Sequence, residues 1–421
     1  MKITRNSLLR AAALTLAASS YSHAASATWT GSGGANWATT GSWSASPVPG
    51  TGETATFSGA GNGNTTINTG TVTINTILFD SSGAAGYTLA GGQINLNDSG
   101  AITVNGSVTN NQVISSNVVL GTTSTTASYA FTNNSSAVGQ LLTISGNIGS
   151  GASNTNNQTK TLALAGSANG LVSGLISGDG TGSGQSKTAV VGITKSGAGT
   201  WTLSNANTYS GTTSVTGGAL LATNVSGSAT GTGALSVEAN GELGGTGTIA
   251  PSGTNGINVS GVLAPGTGIG NLTFSLGNTT GTVSMASGSK FEYELGLAGS
   301  DINAFGNSDL LKIAGAATSD FAFNNNTIDF LNTGSVGFYK LFDTSSDLAN
   351  TWTGLTVSGT GLIEGGLTVA NLTPGLTGKL IMGGNSFGGT TGDIYMQVIP
   401  EPAAGLLGGL GTLLLLRRRN R

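Results

Sequence analysis

The 421-residue chain has no cysteine, one histidine and no arginine between residues 28 and 399. The histidine, His23, lies in the first 27 residues with Arg5 and Arg10; the other arginines, Arg417, Arg418, Arg419 and Arg421, close the chain. Each absence removes a class of function. Without cysteine there are no disulfides, so stability has to come from an apolar core and backbone pairing. Without His or Cys in the body, zinc sites, serine–histidine or cysteine–histidine nucleophiles and haem ligation lack their residues. Seven lysines face sixteen acidic residues over 28–399, a net charge of −9. That surface cannot neutralise a phosphate backbone, so no nucleic-acid partner is expected. An oxygen-rich acidic body leaves calcium binding open, but no cofactor is assigned.

What charge there is concentrates at the ends. Lys2, Arg5 and Arg10, an apolar stretch from Ala11 to Ala18 and small residues after it form a secretory signal peptide over 1–27. Cleavage after Ala24 or after Ala27 satisfies the small-x-small rule. The last residues read Pro400-Glu401-Pro402, an apolar run over 403–416, then Arg417-Arg418-Arg419. As a helix the run spans about 21 Å, short of a bilayer core of about 30 Å, and four glycines weaken it. The arginines fit a positive-inside stop. This suits a transient handle better than a permanent span. The tripartite tail resembles the PEP-CTERM protein-sorting signal. The resemblance implies processing near Pro400–Pro402 by an exosortase, transit as a membrane-anchored precursor through the inner membrane of a Gram-negative-type bacterium, and a link to exopolysaccharide and biofilm.

Between the ends, short alternating apolar runs recur: Thr71–Phe79, then Ile94 and Leu96, Ile102 and Val104, Val118 and Leu120, Leu142 and Ile144, Leu162 and Leu164, and Thr213–Val215. Gly, Asn and Ser bound each of them, and no stretch has helical periodicity. The chain is all-β. Glycine, 72 of 421 residues, is more than twice its usual ~7% and falls between the runs, where a solenoid turns its corners. A right-handed parallel β-helix is expected, with inward Val, Ile and Leu and with stacked Thr and Asn ladders. Residues 195–223 carry the clearest unit: Lys195 to Leu203, Asn207 to Thr213, and Gly217 to Leu220. It resembles the autotransporter-associated β-strand repeat. Leu203, Val215 and Leu220 are expected to point inward, with Tyr209-Ser210-Gly211 at a corner.

The expected division is 1–27 signal peptide, 28–96 N-terminal cap and first coils, 97–290 β-helix, 291–398 a C-terminal β segment, and 399–421 sorting tail. Trp29, Trp37, Trp43 and Phe57 are read as the cap, with a carbohydrate-binding aromatic platform as the alternative. The C-terminal segment either caps the helix or packs as a small sandwich. Glu292 and Glu294, about 7 Å apart on one strand face, have the spacing of inverting-glycosidase carboxylates; opposite Phe291, Tyr293 and Leu295 they read as a solvent face. No cluster of carboxylates from successive coils is expected. Gly178-Asp179-Gly180-Thr181-Gly182 is a lone copy of a calcium-loop-like pattern. Gly266-Thr267-Gly268-Ile269-Gly270 lacks the strand–helix setting of a dinucleotide loop and reads as a turn.

No residue is assigned to catalysis, cofactor or metal. The expected function is that of an exported, non-enzymatic surface or matrix protein, a structural or adhesin-type β-helix. Its partners would be an exosortase and exopolysaccharide or other matrix components, with membrane contact through the tail before processing. A carbohydrate-binding or carbohydrate-active β-helix is the alternative.

Overall fold

A computed structural model describes residues 25–121, 126–151, 158–178, 189–277, 280–314, 321–332, 334–344, 352–384 and 388–401. Strands dominate it; the helical elements among these residues are the two short turns Thr40–Ser42 and Gly61–Gly63. The strands stack in parallel, coil upon coil, as a β-helix. A first sheet of 15 strands and a second of 12 run its length, and a third of 6 joins in the later coils.

Alternation sets the two faces of each strand. In Gln93–Val104, Ile94, Leu96, Ile102 and Val104 are buried while the residues between them reach outward. This strand covers two faces: Gln93 to Leu96 pairs with Asn117–Leu120, and Ala101 to Val104 pairs with Ala127–Asn133. The bend between them holds Ser99 at φ 65°.

In-register pairing builds continuous inward columns. On the first sheet Leu162, Ile193, Thr213, Leu235, Ile257, Val283, Phe321 and Trp352 stack in turn. On the second, Leu142, Gly170, Trp201, Leu220, Leu243, Leu263, Phe291, Ile328 and Val369 do the same. One cluster of buried apolar side chains runs from Ala27 to Val398. A fully buried Leu or Ile contributes about 1.5–3 kcal/mol, which lets the chain fold without cross-links.

Asparagine side chains stitch the corners from one coil to the next. The side-chain oxygens of Asn111, Asn117, Asn147, Asn169 and Asn224 accept the backbone N–H of Leu141, Asn147, Leu175, Thr200 and Thr248, each one coil on, at 2.8–3.1 Å. The amide thus stands in for a missing strand carbonyl. It satisfies a corner N–H that would otherwise be left unpaired.

Aromatic clusters close both ends. At the first coils Trp29, Trp37 and Trp43 are 2–5% exposed. Trp43 lies edge-on to Trp29 at 5.0 Å and to Trp37 at 4.8 Å, and Phe57 packs 5.8 Å from it. Their indole N–H groups donate to the carbonyls of Asn64, Pro49 and Trp37. At the far end Phe291, Phe321, Phe323, Phe342 and Trp352 form a second nest.

Residues 291–398 carry the last coils and the cap. Lys290–Tyr293, Asn326–Phe330 and Leu367–Ala370 extend the second sheet in parallel. The third sheet then reverses: Ile394–Pro400 lies antiparallel to both Gly337–Thr344 and Leu376–Met382. The reversed strand ends the parallel run of the third sheet.

Candidate functional surfaces

Of the processing residues, Ala27 forms the first strand, Ala27–Thr28, paired with Ala55 and Thr56. Pro400 ends the last strand opposite Leu376, and the Glu401 N–H donates to Gly375 O at 2.8 Å; both residues are exposed. Ala24, Pro402, Arg417, Arg418, Arg419 and the apolar run 403–416 lie outside the described residues, as do residues 179–182 of the calcium-loop-like pattern. Among the described residues no helix is long and apolar enough to cross a membrane, and no group of three or more His, Cys, Asp or Glu is placed to hold a metal ion.

The clearest repeat is a set of side chains that serve neighbouring coils. Lys195 occupies an inward position between Leu164 and Val215. Its stem fills the core column, and its ammonium donates to the carbonyls of Ser196 and Gly197 at 3.0 Å and Gly217 at 2.8 Å. Burial lowers its pKa to about 8. Trp201 is fully buried, and its Nε1 donates to Ala165 O at 3.1 Å. Asn207 accepts the Ile176 N–H at 2.8 Å and donates to Ala229 O at 2.6 Å, tying the coil before to the coil after. Leu203, Val215 and Leu220 are buried as expected. Tyr209-Ser210-Gly211 leads into Thr213–Val215. The Tyr209 ring enters the core, its hydroxyl 2.7 Å from that of Thr213, and burial pushes its pKa up.

The three N-terminal tryptophans, buried at the first coils, offer no exposed aromatic platform.

The carboxylates differ from expectation. Glu292 and Glu294 do sit on the outer side of a strand whose Phe291, Tyr293 and Leu295 are buried. Glu292 also stacks in register on Asp329 of the next coil. Lys290 lies 2.9 Å from each of these carboxylates, and Asn371 donates to Asp329 at 2.9 Å. Glu242 is close enough that, after its own burial, the Glu292 charge raises its pKa. Successive coils therefore do bring carboxylates together, around a lysine. Constant spacing conceals this, because the coil between Glu292 and Asp329 is lengthened by residues 295–308, which fold back with Leu295 opposite Ser308.

Asp309 lies beneath this region. Its two oxygens accept the Gly270 N–H at 2.9 Å and the Glu294 N–H at 2.6 Å. The segment 266–270 is a turn held on this carboxylate. Gly266 has φ +102°, and a Cβ there would strike Asp309, so glycine is required. Burial raises the Asp309 pKa from 3.8 to about 7, with the two N–H donors opposing and the Glu294 charge assisting. Between those values the folded state binds more protons than the unfolded one. Stability is therefore expected to fall as pH rises from about 4 to about 7 and to level off above. Urea midpoints across this window test it. An Asp309→Asn variant should give a flatter profile, and an equally steep one would assign the effect to other groups.

No curated protein matches the chain. Residues 193–222 match the passenger-associated transport repeat family. The match runs from Ile193 to Ala222 and takes in the Lys195, Trp201, Asn207 and Tyr209 contacts. An autotransporter-associated β-repeat set in a parallel β-helix fits an exported, surface-associated protein of autotransporter-passenger type.

Proposed function

We propose that the protein is a non-enzymatic structural or adhesin-type β-helix of the cell surface or extracellular matrix, exported by its signal peptide and sorted through its PEP-CTERM-like tail by an exosortase. Exopolysaccharide or other matrix components are its partners there. The observation that carries this reading is the matched repeat at 193–222 inside one continuous stack whose main apolar core runs from Ala27 to Val398. Such a stack presents long rows of outward polar side chains, an extended surface for contact.

The first strand bears on the signal cleavage. The Ser26 hydroxyl donates to Glu53 at 2.8 Å and accepts the Thr54 N–H at 3.0 Å, and Ala27 pairs with Ala55. Cleavage after Ala24 keeps these contacts, whereas cleavage after Ala27 removes them. Mass spectrometry of the natively expressed protein after cell fractionation should find a surface or released species beginning at Ala25 and ending near Pro402. Replacing Pro400-Glu401-Pro402 by alanines should trap an unprocessed precursor at the inner membrane. Normal release of that variant, or an intact C-terminus in the wild type, would overturn the sorting reading.

A further inference from the structure

We propose that the last coils carry a lipid-contacting patch, Ile269, Leu297, Leu331 and Val336, which rests in the bilayer interface while the tail is attached. The proposal builds on the tail-anchor reading above. These four side chains are 46%, 79%, 58% and 53% exposed, in contrast to the buried apolar residues of the coils beneath them. They share one corner, between the second and third sheets. Ile269 lies against Gly296. Asn332, next to Leu331, accepts the Leu295 N–H and donates to Leu295 O. Gly299 and Phe338 exchange backbone hydrogen bonds at 3.0 and 3.1 Å, which brings the 295–308 hairpin to the start of Gly337–Thr344.

The chain leaves the fold at this same corner. Gly337 pairs with Val398 in antiparallel register, so Val336 is level with Ile399, two residues before Glu401. Glu401 is itself fixed by its bond to Gly375. Only Pro402 then separates it from the apolar run beginning at Ala403, a reach of roughly 7 Å. A body tethered that closely cannot stand clear of the bilayer into which the run inserts. Its exit face must lie in the headgroup zone, where exposed Leu, Ile and Val are stabilised by burial. With a net charge of −9 and no arginine from 28 to 399, attraction to anionic lipid cannot supply the contact. The surface fits a zwitterionic bilayer, held by apolar contact.

The absence of cysteine makes the test direct. Single cysteines at Leu297, Val336 and, as a control, Val138 are labelled with an environment-sensitive fluorophore in the full-length chain, reconstituted into phosphatidylcholine vesicles. Val138 is fully exposed and lies beside Leu141, whose strand is seven coils from Ile328, about 34 Å at ~4.8 Å per coil. Shallow spin-labelled lipid should quench the labels at 297 and 336 several-fold more than the one at 138, with little change in high salt. Equal quenching at all three positions in a chain that floats with the vesicles overturns this proposal alone. Blue-shifted but unquenched labels at 297 and 336 would mean that the tail or a second copy covers the patch, and also overturn it. A chain that fails to float overturns the tail-anchor reading together with it.

Discussion

Replacing Trp201 by alanine is expected to destabilise the protein by about 3–5 kcal/mol, the range for deleting a buried indole from a packed core. The side chain is fully buried in the inward column of the second sheet, with Leu220 stacked on it from the next coil. Its neighbour on the other side is Gly170, and a Cβ built there would lie only 2.4–2.5 Å from three atoms of the indole. The two positions form one large–small pair that fills a single space. Two measurements follow. Trp201→Ala should lower the urea midpoint strongly and leave the Ala165 carbonyl without its indole donor. Gly170→Val, which adds volume where there is none, should also destabilise, by about 1–3 kcal/mol. In the Trp201→Ala background Gly170→Val should cost less, because the cavity receives the new side chain. Additive effects in this cycle would mean that the ring and the glycine do not share the space.

That pair also marks the limit of what the sequence displays. The β-helix was legible because alternation in runs such as Thr71–Phe79 and glycine at the corners are local signals, and they needed no knowledge of which coil met which. The inward set Leu203, Val215 and Leu220 was legible for the same reason. Gly170 reads as one more corner glycine until its register partner is known. Lys195 opens the repeat unit and is not among the residues expected to point inward, yet it lies in a core column and satisfies three corner carbonyls. Its partners, except Gly217, are the next two residues, so the signal is a lysine at an otherwise apolar alternating position, followed by Ser-Gly-Ala-Gly. The Glu242, Lys290, Glu292 and Asp329 group was illegible for another reason. Coil length varies here, and a cluster assembled across coils of unequal length has no fixed period. The patch at 269–336 was hidden likewise: four exposed apolar residues in three connecting segments come to one corner only when the coils are stacked.

Removing the Asp393 carboxylate should be the most damaging polar substitution in the cap. Asp393 is fully buried and lies immediately before Ile394–Pro400, the reversed strand that closes the stack. One oxygen accepts the Thr344 N–H at 2.8 Å and the Thr344 hydroxyl at 3.1 Å. The other is 2.7 Å from the Lys340 ammonium and accepts the Tyr395 hydroxyl at 3.1 Å. The Phe305 and Tyr395 rings flank that ammonium at 4.8 and 5.5 Å. Burial pulls the Lys340 pKa down, and Asp393 with Asp343 more than offsets it, so the pKa is raised overall. Asp393→Ala takes the shared acceptor from the Thr344 N–H, the Thr344 hydroxyl and the Tyr395 hydroxyl, and leaves a largely buried ammonium with Asp343 alone, 3.2 Å away. Breaking a buried pair in this way costs about 3–5 kcal/mol. Lys340→Met should cost less, because the Asp393 carboxylate keeps three of its donors and the methionine stem still packs beneath the two rings. The order of the two variants in urea midpoint is the test. If Lys340→Met proved as damaging as Asp393→Ala, the ion pair alone, and not the convergence of donors on one carboxylate, would hold the cap. Hydrogen exchange locates the loss: in Asp393→Ala the amides of Gly337–Thr344 and Ile394–Pro400 should open before those of the coils around Trp201, since the backbone pairing of the cap strands to the stack runs through Leu310–Ala314.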